Sequence, residues 1–318
     1  MATLITGAGL IGRLTAEMLA ARGERVVLAD IRDPGASGLA FVHCDVTDAA
    51  ALDAVVRRHG VRRIVHTAAM LSTGIRANPA RGVAVNVVGT TQVLDCARRL
   101  GLGRVVCASS TTVGYTMFGS HDAAPIEEDL PMRMLGERPA SLYAASKIAG
   151  EHLGLLYHDL YGVDVVMLRY AAVLGGGGPA SSVPGRLLEQ LATGGRSGVP
   201  VVLDDPFVLW AGREEFVDAR DCARANLAAL DAAAPVQRVY NVATGDWCSL
   251  DEFIATMRAV FPRLQVSVPR PSTTGFAGFP HLRPAPSDTR LAAAELGFRA
   301  QHNLGDTIAY WCRAGHSG

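Results

Sequence analysis

The chain is 318 residues long, with 30 lysines plus arginines against 30 aspartates plus glutamates and a formal net charge of zero. This balance, with no basic run interleaved by aromatics, argues against nucleic-acid or membrane partners, and no apolar run approaches the ~20 residues that cross a bilayer. The length is large for one core and predicts a two-lobed enzyme, while 34 glycines exceed the usual ~7% share and predict many tight strand-to-helix turns.

Residues 2–6 form a short apolar run that ends in Gly7-Ala8-Gly9-Leu10-Ile11-Gly12. An amphipathic segment follows to about residue 22, with Leu10, Leu14, Met18 and Ala21 at helical spacing. Strand, glycine turn and helix in that order are the context that a dinucleotide-binding turn requires. Gly7 permits the tight turn, Gly9 lets the backbone approach a pyrophosphate, and Gly12 lets helix and strand pack closely. The anion sits on the helix N-terminus, at Leu10 and Ile11. The second strand, 25–29, ends in Asp30, where an acid accepts hydrogen bonds from the ribose hydroxyls of NAD and repels the 2′-phosphate of NADP. Arg13 and Arg32 lie near enough to soften that preference, and a plain turn aspartate is the alternative.

A third apolar run, 41–44, closes on Asp45-Val46, expected at the adenine. Helix capping by Asp45, Thr47 or Asp48 explains the same acids equally well. A helix to about residue 59 precedes a strand, 63–69, whose last residues are small. Ala68 there lets backbone pass close to a cofactor, and His66 reads as a packed strand-end residue. Residues 79–100 read as one long helix with Val83, Val87, Thr90, Leu94 and Ala97 along its apolar side, Asn86 within it, and Gly89 allowing close approach. The fifth strand, 104–107, delivers Ser109 and Ser110 to the carboxyl edge of a doubly wound sheet, where ligands bind. Residues 114–140 lack periodicity, and a loop of that length is expected to be functional.

That loop leads into a helix to about residue 161 that opens with Tyr143-Ala144-Ala145-Ser146-Lys147. A tyrosine and a lysine four apart share one helix face, one turn apart. A neighbouring cation stabilises a phenolate and lowers a pKa that otherwise lies near 10. Such a phenol can take a proton from a substrate hydroxyl as hydride leaves the same carbon.

A further strand, 163–169, follows, and Gly175-Gly176-Gly177-Gly178-Pro179 marks a change of character. Helix-like stretches at 185–193, 218–232, 250–260 and 288–296 are separated by proline-rich loops, notably 262–286, and residues 240–242 return as a strand to the first sheet. The expected division is residues 1–174 with 216–243 as the nucleotide-binding domain, and 175–215 with 244–318 as a smaller substrate-binding lobe. Leu304, Ile308, Trp311 and Cys312 fall on one face, so the tail should dock. Phe118, Phe207 and Trp210 either line an apolar part of the pocket or form lobe core. The six cysteines show no CxxC and no metal-like spacing with histidine, as expected of core residues in a reducing compartment. The N-terminus opens into a strand without a signal core, so a cytoplasmic protein is expected.

The glycine turn, Asp30, Asp45, His66-Thr67-Ala68-Ala69, Asn86 with Gly89-Thr90, Ser110, Tyr143 with Lys147, Leu168-Arg169, the stretch from Phe216 to Asp221 and Tyr240-Asn241-Val242 together resemble the extended short-chain dehydrogenase/reductase family, the group of NAD-dependent sugar epimerases and dehydratases. The resemblance covers nearly the whole chain. It implies an α/β fold, a Rossmann-type doubly wound parallel sheet with a smaller C-terminal substrate-binding lobe. It also implies NAD as cofactor and a catalytic Ser110–Tyr143–Lys147 set in which Lys147 and Tyr143 also meet the nicotinamide ribose. A homodimer paired through the helices near 79–100 and 144–161 is implied too. The second of these carries Ile148 and Leu155 on one side and Ala149, Leu153, Leu156 and Leu160 on another.

The departures concern the substrate. The first glycine motif is one residue shorter than the family's GxxGxxG, and Gly114-Tyr115 stands where Tyr-Gly is common. Thr111 and Thr112 replace the acidic pair of nucleotide-sugar dehydratases, which argues against water elimination. Ala172 takes the place of an asparagine after Leu168-Arg169. The family's diphosphate-binding arginine falls on Glu214, with Arg213 displaced by one. An acid there repels a diphosphate, so a substrate smaller than a nucleotide sugar is expected, touching Ser110, Thr111, Tyr143, Ala172 and Arg213. The expected reaction is NAD-dependent oxidation of a secondary alcohol on a small hydroxylated, sugar-like compound. Epimerisation with retained NAD is the alternative, and a non-catalytic nucleotide sensor on the same fold is the remote one.

Overall fold

Strands that read as unbroken runs of Val, Ile and Leu need cover on both faces, and the chain supplies it with helices. The computed structural model describes residues 2–35, 38–133, 136–176 and 182–313. β1 (Ala2–Thr6) is buried at all five residues. It runs through the glycine turn into α1 (Leu10–Ala21) and β2 (Arg25–Asp30), and then come β3 (Ala40–His43), α2 (Ala49–His59) and β4 (Val61–His66). Asp48 caps α2 by accepting a hydrogen bond from the Ala51 amide at 3.0 Å.

The next stretch differs from the single helix that periodicity predicts. α3 (Ser72–Ala77) and α4 (Pro79–Val83) are separated by Asn78, whose side chain accepts from the Arg81 amide. The helix then widens to a π-turn over Ala84–Gly89 before α5 (Thr90–Leu100). The expected apolar stripe breaks at this insertion: Val83 before it is 42% exposed, while Thr90, Leu94 and Ala97 after it are buried.

β5 (Val105–Ser110), α6 (Leu142–Tyr161) and β6 (Val165–Tyr170) complete the first half. Ser141 caps α6 on the Ala144 amide at 3.1 Å. β7 (Ala172–Leu174), α7 (Val183–Ser197), β8 (Val201–Val202), β9 (Phe216–Asp218), α8 (Ala219–Asp231), β10 (Val239–Val242), α9 (Leu250–Val260), β11 (Val266–Ser267), α10 (Arg290–Glu295) and α11 (Leu304–Arg313) follow.

The main sheet has seven parallel strands in the order β10-β6-β5-β4-β1-β2-β3. The chain order reverses beside β1, so the carboxyl ends of β1 and β4 open a crevice there. Register places Thr6 opposite His66, and Ser110 opposite Tyr170, along the same edge. As expected, residues 239–242 return to this sheet, beside β6. β9 does not join it but pairs with β7 in a separate two-stranded sheet.

Separate apolar cores cover the two faces of the main sheet. A further core joins α7, α9 and α11 around Trp210, Phe216, Phe253 and Phe276, whose rings meet at centroid distances from 5.1 to 5.9 Å. Ile308, Trp311 and Cys312 are buried in it, so the tail docks. Of the six cysteines five are buried, and none is in a disulfide.

Candidate active site

The crevice beside β1 is a cleft of about 290 Å³. Its floor is the glycine turn and the open end of α1. Gly7 takes φ +95°, a conformation that side-chain-bearing residues rarely adopt, and a β-carbon on Gly12 would come within 1.9 Å of the Gly7 carbonyl oxygen. Two requirements of a nucleotide turn can be checked here. A β-carbon on Gly9 would meet nothing within 4 Å, so the backbone there faces open space. The N-terminus of α1 has no side-chain cap, which leaves its first amides for an anion. Asp30 closes the turn by accepting from the Ala8 amide at 2.7 Å and from the Arg32 amide at 3.1 Å. These residues fit a dinucleotide.

Gly9, Leu10, Ile11 and Gly12 line the cleft together with Ser110, Thr111, Tyr143, Lys147 and Ala172. Asp45, Val46, Ala68, Asn86 and Arg213 are not among the residues that line it. Asp45 accepts from the Thr47 amide at 2.9 Å and hydroxyl at 2.7 Å and pairs with Arg81 at 2.6 Å, so it builds the turn into α2. Val46 is core. Ala68 packs against the Gly7 turn from below. Asn86, expected at the cofactor, spends its amide on Met70 (2.7 Å to the amide, 3.0 Å to the carbonyl) and on the Ser146 hydroxyl at 3.0 Å. The π-turn aims it there, clamping the loop after β4 to α6.

Arg213 is outside the cleft, paired with Glu252 at 2.6 Å and 5.7 Å from the Trp247 ring. Phe118, Phe207 and Trp210 are not part of the lining. Phe118 and Trp210 are core, and Phe207 packs behind the turn at Gly278 with Arg76 stacked over it.

Lys147 follows Tyr143 by one turn of α6, as the spacing requires, but the electrostatics differ from expectation. Lys147 Nζ donates to the Ala108 carbonyl at 2.7 Å and sits 5.7 Å from the Tyr143 ring centroid. Burial pushes the Tyr143 phenol up to about 12, with Ser110 pulling it the other way, and burial pushes Lys147 down to about 8. Tyr143 is half-buried at the cleft and Lys147 is buried beneath it, so lost hydration of each charged form sets the direction of its shift. Ser110 accepts from the Thr112 amide at 3.2 Å and hydroxyl at 3.0 Å, which fixes its rotamer at the strand end.

Two supports escape a motif reading. Glu151, one further turn along α6, accepts from Arg169 at 2.8 and 2.7 Å and from the Ser109 hydroxyl at 2.5 Å. It bolts α6 to the ends of β5 and β6. Its spacing of four from Lys147 was the available signal. His66 takes Thr6 at 2.7 Å and Thr90 at 3.1 Å on its two ring nitrogens, and burial with the Lys147 charge holds it down at about 3. The outer wall of the cleft is formed by Tyr115, Phe276, Ala277 and Phe279, of which only Tyr115 falls in a stretch that the sequence marks.

Among known proteins, the putative UDP-glucose 4-epimerase of Methanocaldococcus jannaschii is 29% identical over 78% of this chain and 79% of its own length. The mitochondrial L-threonine 3-dehydrogenase of Bos taurus is also 29% identical, over 83% of this chain and 69% of its own. The crystal structure of the Thermus thermophilus UDP-glucose 4-epimerase in complex with NAD superimposes with a TM-score of 0.73 at 26% identity, covering 98% of both chains. Residues 3–243, from β1 to the end of β10, match the model of the NAD dependent epimerase/dehydratase family. This chain, an NAD-dependent enzyme of the extended short-chain dehydrogenase type, belongs to that family.

Proposed function

We propose that the protein oxidises a secondary alcohol of a small hydroxylated substrate by a Ser110–Tyr143–Lys147 mechanism. The observation that carries this reading is the convergence of Ser110, Tyr143 and Lys147 on one cleft whose floor is an uncapped helix N-terminus. NAD, held by the glycine turn, Asp30 and Lys147, supplies the hydride-accepting carbon and a cationic ring. Ser110 holds the reacting oxygen by hydrogen bonding, and Tyr143 Oη takes its proton. Lys147 keeps the phenol and the ribose in place. Burial raises the phenol pKa in the isolated chain, so the base becomes competent only when positive charge stands beside it.

The test is NADH absorbance with a panel of sugars, sugar acids and aryl alcohols. NADH formation with a secondary alcohol supports the reading, and none with any of them refutes it. Epimerisation is the second reading, favoured by the likeness to the Methanocaldococcus jannaschii protein. NAD that survives purification supports epimerisation, and NAD that exchanges freely supports the dehydrogenase.

The same reading includes a homodimer and a cytoplasmic location. Val83, Val88, Leu156 and Leu160 remain exposed, Leu160 at 66%, on the two helices expected to pair, while Leu153 and Leu155 pack against the core. A monomer mass by light scattering at micromolar concentration would refute the dimer. Among the described residues no helix is long and apolar enough to cross a membrane.

A further inference from the structure

Lys147 is the one charged side chain among the described residues that line the cleft, and its ammonium is turned to Ala108. Residues 177–181, outside the described structure, contain no ionisable side chain. The substrate side therefore meets hydroxyls at Ser110, Thr111 and Thr112, and rings at Tyr115, Phe276 and Phe279.

Behind that wall lies a guanidinium that does not serve a ligand. Arg283 has a side chain only 1% exposed, pairs with Glu215 at 2.6 Å and Glu214 at 3.3 Å, and donates to the Ser287 hydroxyl at 2.7 Å. Tyr115 donates its hydroxyl to Glu214 at 3.0 Å, so its ring is turned edge-on to Phe279, with centroids 4.5 Å apart. Two carboxylates against one guanidinium leave no cation to offer an anionic ligand. A buried pair of this kind is also costly to open, because either partner left alone is an uncompensated charge. Arg213 is spent on Glu252, and Arg76 is stacked over Phe207 behind the Gly278 turn. A second diphosphate on this wall, away from the α1 amides that take the pyrophosphate of NAD, would lose its hydration with no lining cation but Lys147 to face it. The cleft volume of about 290 Å³ falls just under the ~300–1,000 Å³ range of small-molecule sites and must also admit the nicotinamide.

We infer that the site selects a small, phosphate-free alcohol that lays an apolar or aryl face on Tyr115 and Phe279, and that it rejects nucleotide sugars. This rests on the oxidation reading only for which carbon reacts, and the binding test below does not depend on turnover. Calorimetry on the NAD-loaded full chain compares 1-phenyl-1,2-ethanediol with UDP-glucose. The diol is expected to bind at least ~10-fold more tightly, a difference of ~1.4 kcal/mol. Phe279→Ala should weaken the diol ~10-fold or more, and Tyr115→Phe, which keeps the ring, should leave it within a few-fold. UDP-glucose binding as tightly as the diol, a diol that does not bind, or a diol indifferent to Phe279→Ala would each overturn the inference. Diol binding without NADH formation would leave it standing and count against the oxidation reading instead.

Discussion

Replacing Glu151 by glutamine removes the bolt between the helix of Tyr143 and Lys147 and the two strands that end at the cleft. The Glu151 side chain is 6% exposed and accepts twice from Arg169 and once from Ser109. Glutamine offers one acceptor and turns an NH₂ toward the guanidinium, so Arg169 loses a charge-assisted bond and its counter-charge. Breaking a buried pair from one side costs ~3–5 kcal/mol. An unfolding entropy of ~2.1 cal/mol/K per residue over this chain length is ~0.67 kcal/mol/K, so Tm should fall by ~4–8 °C. Combining Glu151→Leu with Arg169→Met should restore most of that loss, since an apolar pair of similar volume needs no counter-charge. Thermal unfolding followed by circular dichroism at pH 7 reads both variants. A fall of less than ~1 °C for Glu151→Gln, or a double variant as unstable as the sum of the single ones, would refute this account of the support.

Other expectations follow from single groups. His66 is held at about 3 in the fold, against 6.5 unfolded. Below pH 6.5 the unfolded chain gains a proton that the native chain refuses, so stability falls with pH, by ~2 kcal/mol between pH 6.5 and 5; urea unfolding of His66→Asn should show a flatter acid limb, and an unchanged slope refutes it. Ala277, in the cleft wall at φ +59°, sits in a left-handed conformation that costs ~1–2 kcal/mol for a residue with a β-carbon. Ala277→Gly should therefore stabilise by up to ~1 kcal/mol after the entropy of the unfolded glycine is counted, and a loss of that size would contradict the strain. Asp30 should make NADP bind at least ~10-fold more weakly than NAD, as titration calorimetry can read, and equal or tighter NADP binding would sink that assignment.

Much of this was legible because it is local. A glycine turn between strand and helix, a serine at a strand end, and a tyrosine and lysine one helical turn apart each announce their geometry within a few residues. The family and the parallel sheet follow from their order along the chain. What stayed hidden is what depends on distant segments meeting. Asn86 reads as a cofactor contact until the π-turn aims it at Met70 and Ser146. Glu214 reads as an acid facing a ligand until Arg283, from the proline-rich loop, is found buried against it. The aromatic wall comes from residues 115 and 276–279, more than 150 positions apart and without periodicity. The sign of the Tyr143 shift was missed for a related reason, because spacing reports a neighbouring charge and burial depends on the whole fold.

The central claim is that Tyr143 is the proton acceptor in hydride transfer, and Tyr143→Phe tests it most directly. The substitution keeps the ring and deletes the only atom assigned to the proton. With an alcohol that the wild-type enzyme oxidises, kcat measured by NADH absorbance should fall on the order of 10²–10⁴-fold, while the calorimetric affinity for NAD stays nearly unchanged. A variant that keeps more than about a tenth of wild-type turnover, outside the range expected for loss of a general base, would contradict the mechanism.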